Sequence, residues 1–326
     1  MTVDDALLSE IEAFAVEIAR DAGAILKGHF GRSLDVEYKD EAQRDPVSNA
    51  DKETQEFLTE VIVARFPAHG VLGEEGKEDT AEQESSPAPD IVWVLDPLDG
   101  TKNYLNGLPV FASSIGVLHR GVPVAGAVYI PWPTDGGGAV LHARKGGGAF
   151  FDDQPIPALD SDAPTGRSLV ALPGYFVATH SFRKPMRGKV GEVRNTGSIA
   201  YDLAMVATGV LQYSIAAGPY LWDVAGGAAI VIESGGLIMR GRRVRGGVPF
   251  SSATKWEPVE SFLPTWESGV TTLKDLRSWS APVAVGSPGV IRHVTSNIRT
   301  RRRMRRRLSR AVRKLLPSKK RSPASG

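Results

Sequence analysis

Apolar residues near the start of the chain recur at every third or fourth position. This spacing extends from residue 4 to residue 30 and predicts a helix that buries one face. Its apolar positions are Leu7, Leu8, Ile11, Phe14, Ala15, Ile18, Ala22, Ile25 and Leu26. Gly28 and Gly31 are expected to end this helix, because glycine tolerates the backbone conformation that follows a helix.

Apolar runs further along the chain predict strands that end at glycine, proline or polar residues. The predicted strands cover residues 34–38, 71–73, 91–95, 113–118, 122–130, 139–143, 168–172 and 211–215. Helices are predicted to start near Ser48 or Asn49, after Ser198 and at Asp223, since serine, asparagine and aspartate cap helices. The helix that starts at Asp223 is expected to stop at Gly235-Gly236.

The strongest chemical signal follows the predicted strand at 91–95. There the sequence changes at once to Asp96-Pro97-Leu98-Asp99-Gly100, and Asp-Pro and Asp-Gly are turn dipeptides. Two carboxylates would therefore lie at the carboxyl end of a buried strand, where open α/β sheets bind ligands. Paired carboxylate oxygens suit Mg²⁺ or Ca²⁺. Taken alone, the stretch is more typical of a turn in which aspartate caps its own backbone than of a metal site.

The composition is that of an ordinary globular protein, and it narrows the chemistry. The 326 residues are 42% hydrophobic and 23% charged, which is enough chain for two domains. There is no cysteine, so disulfides, cysteine-ligated zinc and thiol catalysis are excluded. We expect a cytoplasmic protein, because the sequence shows neither a signal peptide nor an apolar run of about 20 residues.

Charge is distributed unevenly along the chain. From Leu273 to Gly326 there are 16 lysines and arginines and one acid, whereas the remainder carries 23 basic and 36 acidic residues. A proline- and aspartate-rich segment at 155–166 predicts a domain boundary. The predicted units are a first domain at 1–155 with most metal ligands, a second at 156–270 that completes the site, and a basic tail at 271–326 that is disordered or partly helical.

Part of this tail has amphipathic character. Met304, Leu308, Val312 and Leu315 recur at helical spacing between arginines. Such a segment could contact an anionic membrane or nucleic acid through residues 299–321. The alternative is a charged tail that binds nothing specific. The arginine run contains no aromatic residue, so the sequence offers no support for base stacking.

Three motifs point together to one family. They read LGEE from Leu72, WVLDPLDGTKNY from Trp93 and LWDVAGG from Leu221. In this order, over roughly residues 5 to 265, they resemble the signatures of the inositol monophosphatase superfamily, which comprises Mg²⁺-dependent, lithium-sensitive phosphomonoesterases. The resemblance implies an α/β (α+β) fold, the layered αβαβα sandwich of the inositol monophosphatase and fructose-1,6-bisphosphatase type, with the site between its two halves.

The resemblance also implies a role for individual residues of a metal-dependent phosphoric monoester hydrolase with two or three Mg²⁺ ions. The implied metal ligands are Glu74, Asp96, the Leu98 carbonyl, Asp99 and Asp223. The implied catalytic residues are Asp51, Glu74 and Thr101, with Asp51 orienting Thr101. The implied phosphate and substrate contacts are Gly100, Thr101, Gly197 and Ser198. Adjacent Glu74 and Glu75 would repel each other unless a cation neutralises them.

One departure from the family pattern leaves the substrate open. Inositol-specific members typically carry a glutamate seven residues before the aspartate of the WD motif, and here that residue is Ala216. A small sugar or polyol phosphate is expected, with histidinol phosphate, fructose 1,6-bisphosphate and 3'-phosphoadenosine 5'-phosphate as alternatives. Family members are commonly dimers, so a homodimer is implied. A regulatory protein that binds RNA or a membrane surface through the tail is the alternative of another class.

Overall fold

The computed structural model describes residues 3–32, 34–38, 46–75, 85–245 and 252–301. Its helices are α1 (Asp5–His29), α2 (Asn49–Arg65), α3 (Thr101–Leu105), α4 (Phe176–Thr179), α5 (Ile199–Ala207), α6 (Leu221–Glu233), α7 (Leu273–Arg277) and α8 (Pro288–Asn297), with a 3-10 helix at Lys184–Met186. The long first helix has the predicted extent, and its apolar stripe is buried.

The first half of the chain forms a two-stranded ribbon and a seven-stranded sheet. The ribbon pairs β1 (Val36–Tyr38) with β2 (Pro46–Ser48). The sheet contains, in spatial order, β3 (Gly70–Gly73), β4 (Ile91–Asp99), β5 (Ala112–His119), β6 (Val122–Ile130), β7 (Ala139–Arg144), β8 (Gly148–Phe151) and β9 (Gln154–Pro155). Strands β3 and β4 are parallel, and the other neighbours are antiparallel.

The second half repeats this plan with a six-stranded sheet and another ribbon. Its strands in chain order are β10 (Leu169–Ala171), β11 (His180–Phe182), β12 (Glu192–Arg194), β13 (Leu211–Ala216), β14 (Leu237–Arg245), β15 (Ser252–Pro258), β16 (Val283–Gly286) and β17 (Ile298–Thr300). The sheet has the order β12-β10-β13-β16-β14-β15. Strands β11 and β17 form the separate antiparallel ribbon.

Helices cover the outer face of each sheet and fill the space between the sheets. Helices α1 and α2 pack on the first sheet, α5 and α6 lie between the two sheets, and α8 packs on the far side of the second sheet. Buried apolar residues form three clusters. One lies between the first sheet and helices α1 and α2, one lies between the two sheets, and one lies between the second sheet and α8. The predicted αβαβα sandwich is therefore confirmed.

Three glycines allow α6 to approach the first sheet at backbone distance. A Cβ atom on Gly126 of β6 would lie 2.2 Å from the carbonyl oxygen of Gly226 in α6, and one on Gly116 of β5 would lie 2.5 Å from Ala225. A Cβ atom on Gly226 would in turn lie 2.5 Å from Ser114 Oγ. Real Cβ contacts do not reach these distances, so the glycines set how closely α6 lies against the sheet.

The prediction that a tail begins at residue 271 is wrong for the described residues up to 301. Strand β16 lies inside the six-stranded sheet, where it pairs with both β13 and β14. Helix α8 follows with Pro288 in its first turn, and Val290, Ile291 and Val294 are buried beneath it. The strongly basic composition led to the prediction of a tail, although this segment contains a strand and an amphipathic helix. The charged residues occupy only exposed positions of α8 and β17.

The amphipathic helix predicted around Met304 and Leu315 lies outside the described residues. In the part of the chain that the structure describes, none of the helices combines the length and the apolar character needed to cross a bilayer.

The close approach of α6 to the sheet can be tested with Gly126→Ala. Its methyl group would meet the Gly226 carbonyl, which is backbone and cannot rotate away, so the free energy of unfolding should fall by roughly 1–3 kcal/mol. The matched control is Gly28→Ala, because a Cβ atom there has no neighbour within 4 Å. The control should gain stability by up to about 1 kcal/mol, since alanine is the better helix former. Equal urea midpoints for Gly126→Ala and the wild type would contradict the packing.

Candidate active site

The two aspartates of the DPLDG stretch lie at the end of β4, which continues through them. The expectation that the strand stops at Asp96 is therefore wrong. Asp96 pairs with Ser114 of β5 and Asp99 with Ala112, so three steps on β4 match two steps on β5. This β-bulge accommodates Pro97 within the strand. Residues three apart on a regular strand face opposite sides of a sheet, and the extra residue brings Asp96 and Asp99 to one side.

Asp223 reaches the same place from the second half of the chain. It lies in the first turn of α6, where its carboxylate accepts a hydrogen bond of 2.7 Å from the Tyr220 N–H group. Tyr220, rather than Asp223, is the N-cap residue. One carboxylate oxygen from each of Asp96, Asp99 and Asp223 lies within 4.8 Å of the others. The structure thus brings together three of the predicted ligands.

Glu74 approaches this group from the neighbouring strand. It follows β3, and its N–H group donates a hydrogen bond of 3.0 Å to the Leu95 carbonyl on β4. Because β3 and β4 are parallel, both deliver acids at the same edge of the sheet. The carboxylate of Glu74 contacts Asp96 and raises its pKa, after burial the largest cause of that shift.

Burial and mutual repulsion shape the electrostatics of the group. Burial raises the pKa of Asp96 well above its usual value, and Glu74, Asp99 and Asp223 raise it further. The pKa of Asp223 is likewise raised, first by burial and then by Asp99. Burial raises the pKa of Asp99 to about 7, although hydrogen bonds from Ala200 and Ser198 oppose the shift. A divalent cation beside these acids would favour their ionised forms.

The donor set fits a hard divalent cation. The group offers only carboxylate oxygens, which are the ligands that Mg²⁺ and Ca²⁺ prefer. Asp96 is 1% exposed and Asp99 is 9% exposed, and buried acids of like charge at this spacing are unfavourable without a compensating cation. The residues that would hold such an ion are Glu74, Asp96, Asp99 and Asp223, with the Leu98 carbonyl beside them.

A second pair of predicted residues, Asp51 and Thr101, lies next to the carboxylate group. The Thr101 hydroxyl lies 3.3 Å from Asp51 Oδ1 and 3.1 Å from the Leu98 carbonyl oxygen. The other oxygen of Asp51 accepts hydrogen bonds from the N–H group and the hydroxyl of Ser48, the cap of α2. Burial raises the pKa of Asp51 to about 6, while the hydrogen bonds from Ser48 oppose this shift.

Residues of the second half orient Asp99. The Ser198 hydroxyl donates a hydrogen bond of 2.9 Å to Asp99 Oδ2, and the Ala200 N–H group donates another of 2.5 Å. Ser198, predicted as a substrate contact, is 1% exposed, so its hydroxyl holds the aspartate. Ala200 could not be found from the sequence, because a backbone donor leaves no side-chain signal.

Glycines and an asparagine join α3 to the second half. Gly100 has φ +95°, and a Cβ atom there would lie 3.1 Å from the Val110 carbonyl oxygen, so only glycine fits. Gly197 has φ +85° and lies against the Asn103 side chain. Asn103 donates hydrogen bonds to the carbonyls of Val110 (2.6 Å) and Thr196 (2.7 Å). The loop that contains Gly100 and Thr101 is thereby linked to the loop before α5.

Arg277 is a residue that the sequence prediction missed. Its guanidinium donates a hydrogen bond of 2.9 Å to the Gly73 carbonyl and lies 5.5 Å from the centre of the Trp222 ring. Gly73 immediately precedes Glu74, and Trp222 immediately precedes Asp223. The Arg277 guanidinium on α7 therefore contacts both the segment that carries Glu74 and the segment that carries Asp223. The sequence placed Arg277 in the tail, where a lysine- and arginine-rich composition gave no reason to single it out.

Comparison with known proteins identifies the family. The model of the inositol monophosphatase family matches residues 7–256. The chain belongs to the inositol monophosphatase family. The match includes Glu74, Asp96, Asp99 and Asp223, so the carboxylate group lies inside the family region.

Individual members of the inositol monophosphatase family show the same relationship. A fructose-1,6-bisphosphatase/inositol-1-monophosphatase from Aquifex aeolicus is 33% identical over 236 residues, covering 68% of this chain and 84% of that protein. The inositol-1-monophosphatase of Bacillus subtilis is 31% identical over 233 residues, covering 70% and 84%. The crystal structure of the extragenic suppressor protein SuhB from Bartonella henselae superposes with a TM-score of 0.63 at 25% identity, covering 86% and 95%.

Membership of the inositol monophosphatase family decides the reaction class. Its members are phosphatases that depend on metal ions, so this chain is a phosphatase. The substrate stays open, because the relatives differ in the activities that they are named for.

The raised pKa values predict how pH and metal ions affect stability. A carboxyl group whose pKa rises from 3.8 in the unfolded chain to about 7 in the folded protein, as for Asp99, binds more protons when folded. Stability should therefore fall as pH rises from about 4 to about 7 in metal-free protein. Adding Mg²⁺ at about pH 7.5 should raise Tm by several degrees, because about 1 kcal/mol corresponds to roughly 2 °C in a protein of this size. Calorimetry in the presence of a chelator and then of Mg²⁺ measures both effects, and a metal-free Tm that increases over this pH range would contradict the assignment.

The contact of Arg277 with both ligand segments can be tested with Arg277→Ala. The Mg²⁺ concentration that half-saturates the thermal shift should increase about tenfold, in the range found when groups that orient metal ligands are removed. Lys274→Ala is the matched control, because Lys274 is an exposed cation on the same helix. An identical Mg²⁺ response of Arg277→Ala and Lys274→Ala would show that Arg277 does not position the ligands.

Proposed function

We propose that the chain is a Mg²⁺-dependent phosphomonoesterase that hydrolyses a small sugar or polyol phosphate by direct attack of water. The observation that carries this proposal is the group of Asp96, Asp99 and Asp223, in which one carboxylate oxygen from each lies within 4.8 Å of the others. Membership of the inositol monophosphatase family supports the same conclusion independently.

The metal ligands in this proposal are Glu74, Asp96, the Leu98 carbonyl, Asp99 and Asp223, holding two or three Mg²⁺ ions. Bound divalent cations would supply charge for the transferring phosphate and for the leaving oxygen, and would lower the pKa of a coordinated water. Asp96 is the most buried of these acids and faces Glu74, Asp99 and Asp223 at once, which makes it the residue on which the whole group depends.

Thr101 and Asp51 handle the proton of the attacking water. The Thr101 hydroxyl accepts a proton from water while it donates its own toward Asp51 Oδ1, 3.3 Å away. The pKa of Asp51 is about 6, so the carboxylate is largely ionised at neutral pH and is still basic enough to take the proton. Ser48 holds the other oxygen of Asp51, which keeps the acceptor in one orientation.

The phosphate lies, in this proposal, against the N–H groups of Gly100 and Thr101. Water oxygen forms a bond to phosphorus as the ester P–O bond breaks on the opposite side, and the departing alkoxide takes up a proton from solvent water. No covalent intermediate with the protein is required. Gly197 and the loop before α5 would contact the alcohol part of the substrate, because Asn103 links that loop to α3.

The alcohol part differs from that of the inositol-specific members. Ala216, at the end of β13, is 7% exposed and has no polar side-chain atom. It therefore cannot accept a hydrogen bond from a ring hydroxyl. Tyr220 is 51% exposed, and its N–H group donates to Asp223, so an exposed aromatic residue lies next to the α6 ligand. Histidinol phosphate, fructose 1,6-bisphosphate and 3'-phosphoadenosine 5'-phosphate remain the alternative substrates.

Asp96→Asn tests the proposal. Replacing a carboxylate that faces several ligands should reduce phosphate release by at least about a thousandfold, the scale of losing a principal electrostatic contribution. Release is measured with Mg²⁺ on a panel of inositol phosphate, histidinol phosphate, fructose 1,6-bisphosphate and phosphoadenosine phosphate. Asp153→Asn is the control, since this exposed aspartate lies in the turn between β8 and β9 and is not one of the residues assigned to the site. A folded Asp96→Asn protein with near wild-type turnover would refute the assignment.

A further inference from the structure

Asp202 is a buried acid that the proposed reaction does not use. It lies in the first turn of α5 and is 8% exposed. Burial raises the pKa of Asp202 to about 7, although the hydrogen bond from Thr196 opposes the shift. A buried carboxylate is unfavourable unless hydrogen-bond donors satisfy its oxygens. Two hydroxyls, those of Thr196 and Ser214, donate to it, and they indicate what Asp202 holds in place.

The first of these hydroxyls belongs to the loop before α5. We name residues 195–198 the substrate loop. The Thr196 hydroxyl donates a hydrogen bond of 2.6 Å to Asp202 Oδ1, and the same Thr196 oxygen accepts the Ser198 N–H group at 3.5 Å. A hydroxyl has one proton to donate, and a short bond to a carboxylate is the stronger use of it. Asp202 therefore fixes the orientation of the Thr196 side chain inside the loop.

The second hydroxyl belongs to strand β13. The Ser214 hydroxyl donates a hydrogen bond of 3.3 Å to Asp202 Oδ2, and Ser214 is 1% exposed. Residues two apart on a strand face the same side, so Ser214 shares a face of β13 with Ala216. Ala216 is the position at which inositol-specific members typically carry a glutamate. Asp202 thus joins the substrate loop to the face of β13 that carries Ala216.

The substrate loop is held on its other side by α3. The Thr196 carbonyl accepts a hydrogen bond of 2.7 Å from the Asn103 amide. Gly197 has φ +85° and lies against the same amide, yet it is exposed. The side chain of Thr196 is therefore bound to α5 and its carbonyl to α3, and these two bonds together determine how the backbone at Gly197 is presented.

Asp99 is held by contacts that do not pass through Thr196. The Ala200 N–H group donates to Asp99 Oδ2 at 2.5 Å, and the Ser198 hydroxyl donates to the same oxygen at 2.9 Å. Ala200 belongs to α5 itself, so its contact survives a change in the loop. Loss of the bond between Thr196 and Asp202 should therefore loosen the backbone at Gly197 and leave the carboxylate group in place.

We propose that Asp202 is a positioning residue that, through Thr196, fixes the substrate loop in the conformation that receives the alcohol part of the substrate. The inference rests on the proposed phosphatase function. Because Ala216 offers no polar side-chain atom, the backbone of the substrate loop takes a larger share in binding the alcohol. Asp202 acts by accepting hydrogen bonds, so an amide oxygen in the same place serves equally well.

The first test measures the loop directly and needs no turnover. Thr196→Val keeps the shape of the side chain and removes the hydroxyl, whereas Thr196→Ser keeps the hydroxyl. Backbone ¹⁵N relaxation of the full-length protein should show the order parameter of the Gly197 amide falling from about 0.85 to below about 0.6 in Thr196→Val and in Asp202→Ala. The Thr196→Ser and Asp202→Asn proteins should keep the wild-type value, because each retains the hydrogen bond between these positions.

The second test measures the consequence for the substrate, using the phosphomonoester of the panel that the wild type hydrolyses fastest. Thr196→Val and Asp202→Ala should raise KM about tenfold, the scale of a hydrogen bond to a charged group, with kcat within about threefold of the wild type, since binding of the alcohol is lost uniformly. The Mg²⁺ concentration that half-saturates the thermal shift should stay unchanged. Asp202→Asn and Thr196→Ser should restore the wild-type KM.

The matched control is Thr208→Val, because the Thr208 hydroxyl donates to the Met205 carbonyl at the other end of α5. It should alter neither KM nor the Gly197 order parameter. If Asp202→Ala does not fold, Thr196→Val decides. The inference is overturned if Thr196→Val keeps the wild-type order parameter or KM, if Thr208→Val raises KM as much, or if Asp202→Asn loses as much as Asp202→Ala. A wild type that hydrolyses none of the panel refutes the proposed function, and an unchanged order parameter in Thr196→Val refutes the positioning by Asp202 separately.

Discussion

Mutual repulsion among Glu74, Asp96, Asp99 and Asp223 is the force that the surrounding structure has to resist. Glu74 follows β3, Asp96 and Asp99 lie at the end of β4, and Asp223 lies in the first turn of α6. Burial raises the pKa of all three aspartates. Keeping such groups together opposes folding, so the rest of the fold must supply the compensating stability. The donor set suits a divalent cation.

The restraint comes mainly from rigid backbone contacts rather than from paired side chains. Glycines at 116, 126 and 226 bring α6 against β5 and β6 at a spacing that any Cβ atom would prevent, and this fixes Asp223 relative to β4. Ser198 and the Ala200 N–H group hold Asp99, while Arg277 contacts the segments before Glu74 and Asp223. Parts of the chain that are distant in sequence thus together position the carboxylate oxygens of the site.

Negative charge is concentrated where the two halves of the chain meet. The carboxylate group draws its members from the end of β3, from β4 and from α6, and it is therefore suited to a cationic ligand. The predicted tail boundary at residue 271 is wrong here too, because Arg299 belongs to strand β17, which pairs with β11, and not to an independent tail.

The sequence alone determined the long first helix, most strands, the αβαβα class and the identity of the acids, because periodicity and short motifs are local properties. It did not determine how Asp96 and Asp99 come to face the same way, since this depends on a bulge defined by pairing with β5. It also missed Ala200, Tyr220 and Arg277, which act through backbone groups or distant contacts. The tertiary structure decided that Val283–Gly286 is an inner strand, because hydrogen-bond partners on β13 and β14, and not local composition, place a strand in a sheet.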